Sequence, residues 1–480
     1  MNIINSIFHM FQNSVLNSLG VERSLLELIQ AADIDQAKAL MQDRDLEVCE
    51  AIKEYNPESH EVNRRANKFR NGKEPYYTEK LPRGRQRYIN EVELFFLLGQ
   101  PIIWKATSDD TDNAFRAYSQ FLKETRFNSS MREAKRRAGA ETECAKIYHI
   151  YKDDGMPKVK VKVISRSTGY TLRPLFDQWD NLVAFGYGYY LNENGSNVEH
   201  FDIETPGFIY RCKLGRFGWE VTPVVNPTGK INVIYYRQEK AWAGVQRRID
   251  REEFVDSKAA DTNNYFADPK LKATADVLEN MTGGGTNNVG EVIQLTDKER
   301  SSIEYLSPPE YSSMKDSEKK DLAQSILFDT FTPDFSYENM KGLGTLSGEA
   351  MRRAMALGYM KRDNLKESYD ELVDREKNII LAIMMNVTHI EMREELSRLV
   401  VEHEFSEPFL EDKDKNINTV ATLYDSGLVS LPTAVEMLSL TDKPEEEIRR
   451  ILDEKSEYNG QNNNNQKIDE YGNNNSESTR

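Results

Sequence analysis

No stretch of 18 or more apolar residues occurs in this 480-residue chain, so no segment of it reads as a membrane-spanning helix. Cysteine is scarce. Cys49, Cys144 and Cys212 lie far apart and form no CxxC pair, which points to a reducing compartment without structural disulfides. The six histidines are scattered, with no HxxxH or HExxH spacing, so no metal site is expected. A GxSxG elbow is absent, and the plentiful carboxylates follow no catalytic pattern, so nothing points to an enzyme. Nor is there an excess of basic charge: 63 Lys and Arg face 79 Asp and Glu, for a net charge of −16. A protein that grips DNA through its phosphates carries a basic face. The balance here argues against tight DNA binding, though not against a protein that DNA passes by.

The stretch GLGTLSGEAMRR, residues 342–353, has the look of a phosphate-cradling loop and fails the test. A P-loop needs G-x-x-x-x-G-K-[ST] after a strand, with the lysine reaching the phosphates. Here Gly342 and Gly348 are too far apart, Glu349 stands in the lysine's place, and a helix comes before. No nucleotide or other cofactor is expected. The opening MNIINSIFHMFQNSVLNSLG is apolar at helical spacing but lacks a basic n-region, so it does not read as a signal peptide.

What is present reads as an α+β chain, mainly helical, long enough for about three domains of ~150 residues. Residues 1–150 are expected to be mostly helical. Arg85–Leu98 forms a helix stopped by Gly99-Gln100-Pro101. Phe127 to about Tyr151 suits one long helix capped by Asn128 or Ser129, with Arg132, Lys135, Arg136 and Arg137 on a solvated face. From about residue 158 the period becomes two. In LVAFGYGYYL, 182–191, the residues Val183, Phe185, Tyr187, Tyr189 and Leu191 share one side of a strand, and this aromatic stripe reads as core. Further alternating runs lie around Phe201, Ile209 and Trp219, and NPTGK leads into INVIYYR at 231–237, giving an antiparallel meander.

A helix is expected at about 245–266, then small strands at 270–277, 291–296 and 302–306 around the turn ENMTGGGTNNVG. Another helix follows from Ser312 or Ser313 with Leu322, Ile326 and Leu327 on one side, then a polar loop at 332–346. From Ser347 a helical pattern runs to about Asn386, with Gly358 as a plausible bend, and further helices occupy 416–455. The Asn-rich tail from Ser456 has almost nothing to bury and is expected to be disordered.

Several stretches resemble the portal proteins of tailed double-stranded DNA phages, of the type found in Gram-positive siphophages. INEVELFFLLGQPI is similar to that family's early helix ending in G-[KQ]-P-[IL]. RRIDREEFVDSKAADTNNYFADPKL is similar to its LIDxYNxxxSDxxNxxxxFxxPxL segment through Ile249, Asp250, Ser257, Asp261, Asn264, Phe266 and Pro269, with Glu252-Glu253 where Tyr-Asn is usual. TFTPDFSYENMKGLGTLSGEAMR resembles the family's loop ending in S-G-x-A, and LYDSGLVSLPTAVEMLSLTDKPEEEIRRILDE its closing segment.

The resemblance implies a portal fold: a wing at 1–240, stem helices at 245–266 and 312–331, and a clip at 267–311. A tunnel loop at 332–346, a long kinked wing helix at 347–400, a crown at 401–455 and the tail at 456–480 complete it. It implies a ring of about a dozen subunits at one capsid vertex of a virion, made in the host cytoplasm. The implied partners are other copies of the chain, the terminase large subunit, a head–tail adaptor, major capsid and scaffolding proteins, and double-stranded DNA in transit. A conduit should not hold its cargo tightly, which suits the acidic balance. Glu252, Glu253, Asp256 and Asp261 are then expected to face the channel. Glu338, Lys341, Gly342 and Gly344 are expected in the tunnel loop, and Ser347 with Glu349 as the cap of the long helix. The alternative is a capsid-associated helical scaffold or adaptor that lines no channel.

Overall fold

The computed structural model describes residues 24–70, 74–108, 111–193, 195–267, 271–273, 303–305, 312–341, 352–409, 413–438 and 446–454. The chain divides into two compact units, residues 1–341 with 355–408, and residues 342–354 with 409–480.

The larger unit begins with helix α1 (24–30), α2 (Ile34–Leu40) and α3 (Asp45–Tyr55), then a hairpin of β1 (Lys68–Arg70) and β2 (Glu74–Tyr76). Helix α4 (Arg85–Leu98), strand β3 (Ile103–Ala106), α5 (Asp112–Glu124) and α6 (Phe127–Glu141) follow. Next come β4 (Glu143–Asp153), β5 (Met156–Ile164), β6 (Thr171–Phe176), β7 (Leu182–Glu193), β8 (Ser196–Glu204), β9 (Phe208–Gly215), β10 (Gly218–Val225) and β11 (Val233–Arg237). Helix α7 (Gln246–Ala267), the short strands β12 (Leu271–Ala273) and β13 (Ile303–Tyr305), α8 (Ser312–Asp329) and α9 (Tyr337–Lys341) come next. The unit closes with α10 (Ala356–Ile383), α11 (Arg393–Arg398) and β14 (Val401–Glu404). The smaller unit holds α12 (Lys413–Asp425), α13 (Leu431–Leu438) and α14 (446–454).

Two antiparallel sheets carry the larger unit, in the orders β10-β9-β8-β7-β6 and β11-β4-β5. The strand expected at 182–191 is β7, and its two faces serve different cores. On the small-residue side, a Cβ on Gly186 would come within 2.6 Å of the Phe201 ring and 2.8 Å of Met41 Sδ. Glycine there lets the α1–α2 pair settle on the sheet through Leu25, Ile29, Ile34 and Met41. On the aromatic side Phe185 and the half-buried Tyr187 pack with Ile147, Val233 and Tyr235 of the second sheet. The largest core lies on that second sheet's other face, where Tyr118, Phe127, Met131, Tyr148, Tyr236, Val373 and Ile380 bring α5, α6 and α10 together. Full burial of such side chains stabilises by about 1.5–3 kcal/mol each.

Several sequence expectations need correction. The helix expected from Phe127 to about Tyr151 stops at Glu141. Thr142 takes φ 68, and the β-branched and aromatic residues after it pair as β4. Neither Asn128 nor Ser129 caps α6: Arg126 holds the N-cap position without a side-chain bond, and Asn128 Oδ1 accepts from the Ile102 N–H at 3.4 Å. Lys135 is not solvated. It is fully buried and bonded to Glu93 at 2.6 Å, because α6 packs that face against α4. Strand β11 joins β4 rather than the five-stranded meander. The long helix does not run through 400: α10 ends at Ile383 in a π turn (Met384–Thr388), and β14 pairs with β3 inside the larger unit. Residues 401–408 thus belong to the larger unit. Gly358 marks a close approach instead of a bend, since its Cβ would lie 2.2 Å from the Phe96 ring. The expected strand at 291–296, the opening apolar stretch and the tail from 456 lie outside the described residues.

Candidate functional site

Helices α7 and α8 flank the β12–β13 pair, and charge holds them side by side in opposite directions. Arg248 meets Asp329, Lys319 meets Asp256 at 2.8 Å, Arg251 meets Glu318 at 2.7 Å, and Lys315 donates to Thr262 Oγ1 at 3.4 Å. At the root of the pair Trp242, Val245, Ile249 and Ile326 bury together with Ile89 of α4.

The opposite side of α7 carries a strap, the segment between β2 and α4. Its alternate backbone amides donate to α7 side chains one helical turn apart. Glu79 N–H bonds Asp261 at 2.7 Å, Leu81 N–H bonds Ser257 Oγ at 3.0 Å, and Arg83 N–H bonds Glu253 at 2.8 Å. Side chains extend the fastening: Arg65 reaches Asp261 at 2.6 Å, Arg83 reaches Asp256 at 2.5 Å, and Arg85 reaches Glu252 at 2.7 Å. His60 Nδ1 lies 2.6 Å from Glu253, and its Nε2 lies 2.6 Å from the Glu54 carbonyl. Burial works against the imidazolium, but the Glu253 hydrogen bond, the Glu54 carbonyl and the nearby Glu253 and Asp250 charges outweigh it, raising the His60 pKa.

This arrangement overturns the expectation that Glu252, Glu253, Asp256 and Asp261 face a channel. All four are buried, Glu252 and Glu253 completely, because the strap's cations and amides cover them within the chain. Removing one partner from such a buried pair typically costs about 3–5 kcal/mol. The residues missed from sequence are His60, Arg65, Arg83 and Arg85. Their signal was available: residues 64–87 hold nine Lys and Arg against Glu74 and Glu79, in a chain that is acidic overall.

Beyond α8 the chain makes a fixed turn. Phe331 takes φ 50 at a position where glycine is usual, and the Thr332 N–H closes on the Leu327 carbonyl at 2.8 Å. Tyr88 of α4 then clasps the segment, donating to the Pro333 carbonyl at 2.8 Å and accepting from the Phe335 N–H at 2.7 Å. Phe335 packs on Phe95 and Phe96. The loop expected at 332–346 is thus partly helical, since Glu338 and Lys341 lie in α9. Lys341 is exposed, with its Nζ 5.9 Å from the Tyr337 ring centre. Gly342, Gly344, Ser347 and Glu349 lie outside the described residues. Among the described residues no cluster of His, Cys, Asp and Glu could hold a metal ion, and no helix is long and apolar enough to cross a membrane.

The described site is thus a helix pair around a small β insert, rooted on a mixed sheet-and-helix body. The family model described as "Phage portal protein, SPP1 Gp6-like" matches residues 38–461, and the chain belongs to that family. Among solved structures, one chain of the virion of a native gene transfer agent particle is similar over 75% of this chain and 89% of that one, at 11% identity and a TM-score of 0.37. No curated protein matches.

Proposed function

We propose that the chain forms a closed ring of about a dozen subunits at one capsid vertex, through which double-stranded DNA is packaged and later ejected. The observation that carries this reading is the family match over residues 38–461, which takes in the whole α7–β12–β13–α8 hairpin. In this reading α7 and α8 are the stem, 267–311 is the clip that docks the terminase large subunit and then the head–tail adaptor, and the segment after α8 is the tunnel loop. The body around the two sheets is the wing, in contact with capsid and scaffolding proteins, and the smaller unit contributes the crown. With Glu252, Glu253, Asp256 and Asp261 buried, the bore is lined by the exposed face of α8, which carries Asp316, Lys320, Asp321 and Gln324. Mixed charge of this kind neither holds nor strongly repels a phosphate backbone. Lys341, exposed at the end of α9, supplies a brief cationic touch. Electron microscopy of the purified protein tests the reading. Rings with a central hole are expected, whereas rods or monomers alone would point to a scaffold or adaptor that lines no channel.

A further inference from the structure

The strap takes up Glu252, Glu253, Asp256 and Asp261 within one subunit, which leaves them unable to meet a neighbouring copy. Strand β5 is an edge strand with the pattern Lys158-Val159-Lys160-Val161-Lys162. Its valines face the large core, and its lysines stand exposed on the other face. Lys158 pairs with Asp153 at 2.5 Å and Lys162 bonds the Tyr170 hydroxyl at 2.6 Å, while Lys160 and the neighbouring Arg211 have no ion pair among the described residues. His149, opposite Lys160 on β4, has its pKa lowered by burial and then by the Arg211 and Lys160 charges, the mark of a cationic surrounding.

On the far side of the same sheet lies α10. Its inner stripe of Tyr369, Val373, Glu376 and Ile380 is buried, with Glu376 bonded to Lys146, Tyr148 and Tyr236. Its outer stripe shows Asp363, Glu367, Glu371 and Asp374, all exposed. Asp374 pairs with Lys377 at 2.7 Å, but Asp363, Glu367 and Glu371 have no ion pair among the described residues. One subunit thus carries a cationic row on one side and an anionic row on the opposite side. The spacings agree: alternate strand residues repeat every ~6.7 Å and helix residues four apart every ~6 Å.

We infer that the ring closes by a head-to-tail contact in which the β5 lysine row of one copy meets the α10 acidic stripe of the next. This inference rests on the ring reading, and a heterologous contact of this kind generates a ring when its rotation closes. Exposed pairs are screened by salt, with a Debye length of about 10 Å at 0.1 M. The test is charge exchange in the full chain, read by sedimentation and electron microscopy at 0.1 M salt, with circular dichroism as the folding control. Lys160→Glu with Lys162→Glu should abolish the ring, as should Glu367→Lys with Glu371→Lys. All four together should rebuild it, and the wild-type ring yield should fall as salt rises. Either double variant assembling normally overturns the inference, and so does a fourfold variant that stays monomeric. Normal rings from the lysine double variant with lost retention on heparin would mark the row as a polyanion surface instead. A wild-type chain that never forms rings overturns the ring reading itself.

Discussion

Glu204, at the end of β8, shows how much one side chain can hold in tension. It is fully buried and accepts a hydrogen bond from the Asn232 N–H at 3.2 Å. Burial, then the neighbouring Asp202 charge, push its pKa up to about 8 against an ordinary 4.5, the Asn232 bond and Arg211 notwithstanding. The folded state therefore binds this proton more tightly than the unfolded chain. The favourable contribution is complete below pH 4.5 and is lost as pH rises through about 8, at up to about 1.4 kcal/mol per pH unit. Glu204→Gln keeps the acceptor and removes the charge. Its melting temperature should exceed that of the wild type by more at pH 8 than at pH 5, in parallel thermal melts. An equal offset at both values would mean that Glu204 is ionised in the fold.

Among the elements, α10 offers a test in which two forces oppose each other. On helix propensity alone Gly358→Ala should stabilise by about 1 kcal/mol. The new methyl would instead strike the Phe96 ring, already held by Phe95, Phe335 and Tyr359. Overpacking of that kind costs about 1–3 kcal/mol, so the variant should melt lower, as denaturant titration can read. The sequence made α4 and β7 legible because a stop signal and an unbroken alternation are local facts. The break between α6 and β4 was not legible, because the one glycine there, Gly139, lies inside the helix and the left-handed turn falls on Thr142 instead. The stem acids misled for a different reason. Their spacing was visible, but their partners lie about 170 to 196 positions away, and no periodicity reports a cation from another element.

For the whole molecule, the proposed conduit divides labour between a braced frame and a small exposed contact with cargo. Lys341 is exposed at the end of α9, whereas the base of α8 is pinned by Tyr88 and the Phe95–Phe96–Phe335 cluster. Lys341→Ala should therefore leave ring assembly unchanged in sedimentation and lower the rate of DNA packaging or the retention of packaged DNA. Normal packaging and retention would remove Lys341 from the channel.

The strap on α7 also constrains how the gene can vary. The amides that engage α7 are those of residues 79, 81 and 83, and the one proline in the stretch, Pro82, occupies a place that donates nothing to the helix. The segment thus has a parity. A single inserted or deleted residue would turn the engaged amides away from the helix, while a change of two would move the strap by one notch and keep them facing it. Lengths here can drift by twos and not by ones, much as a coding frame drifts by threes.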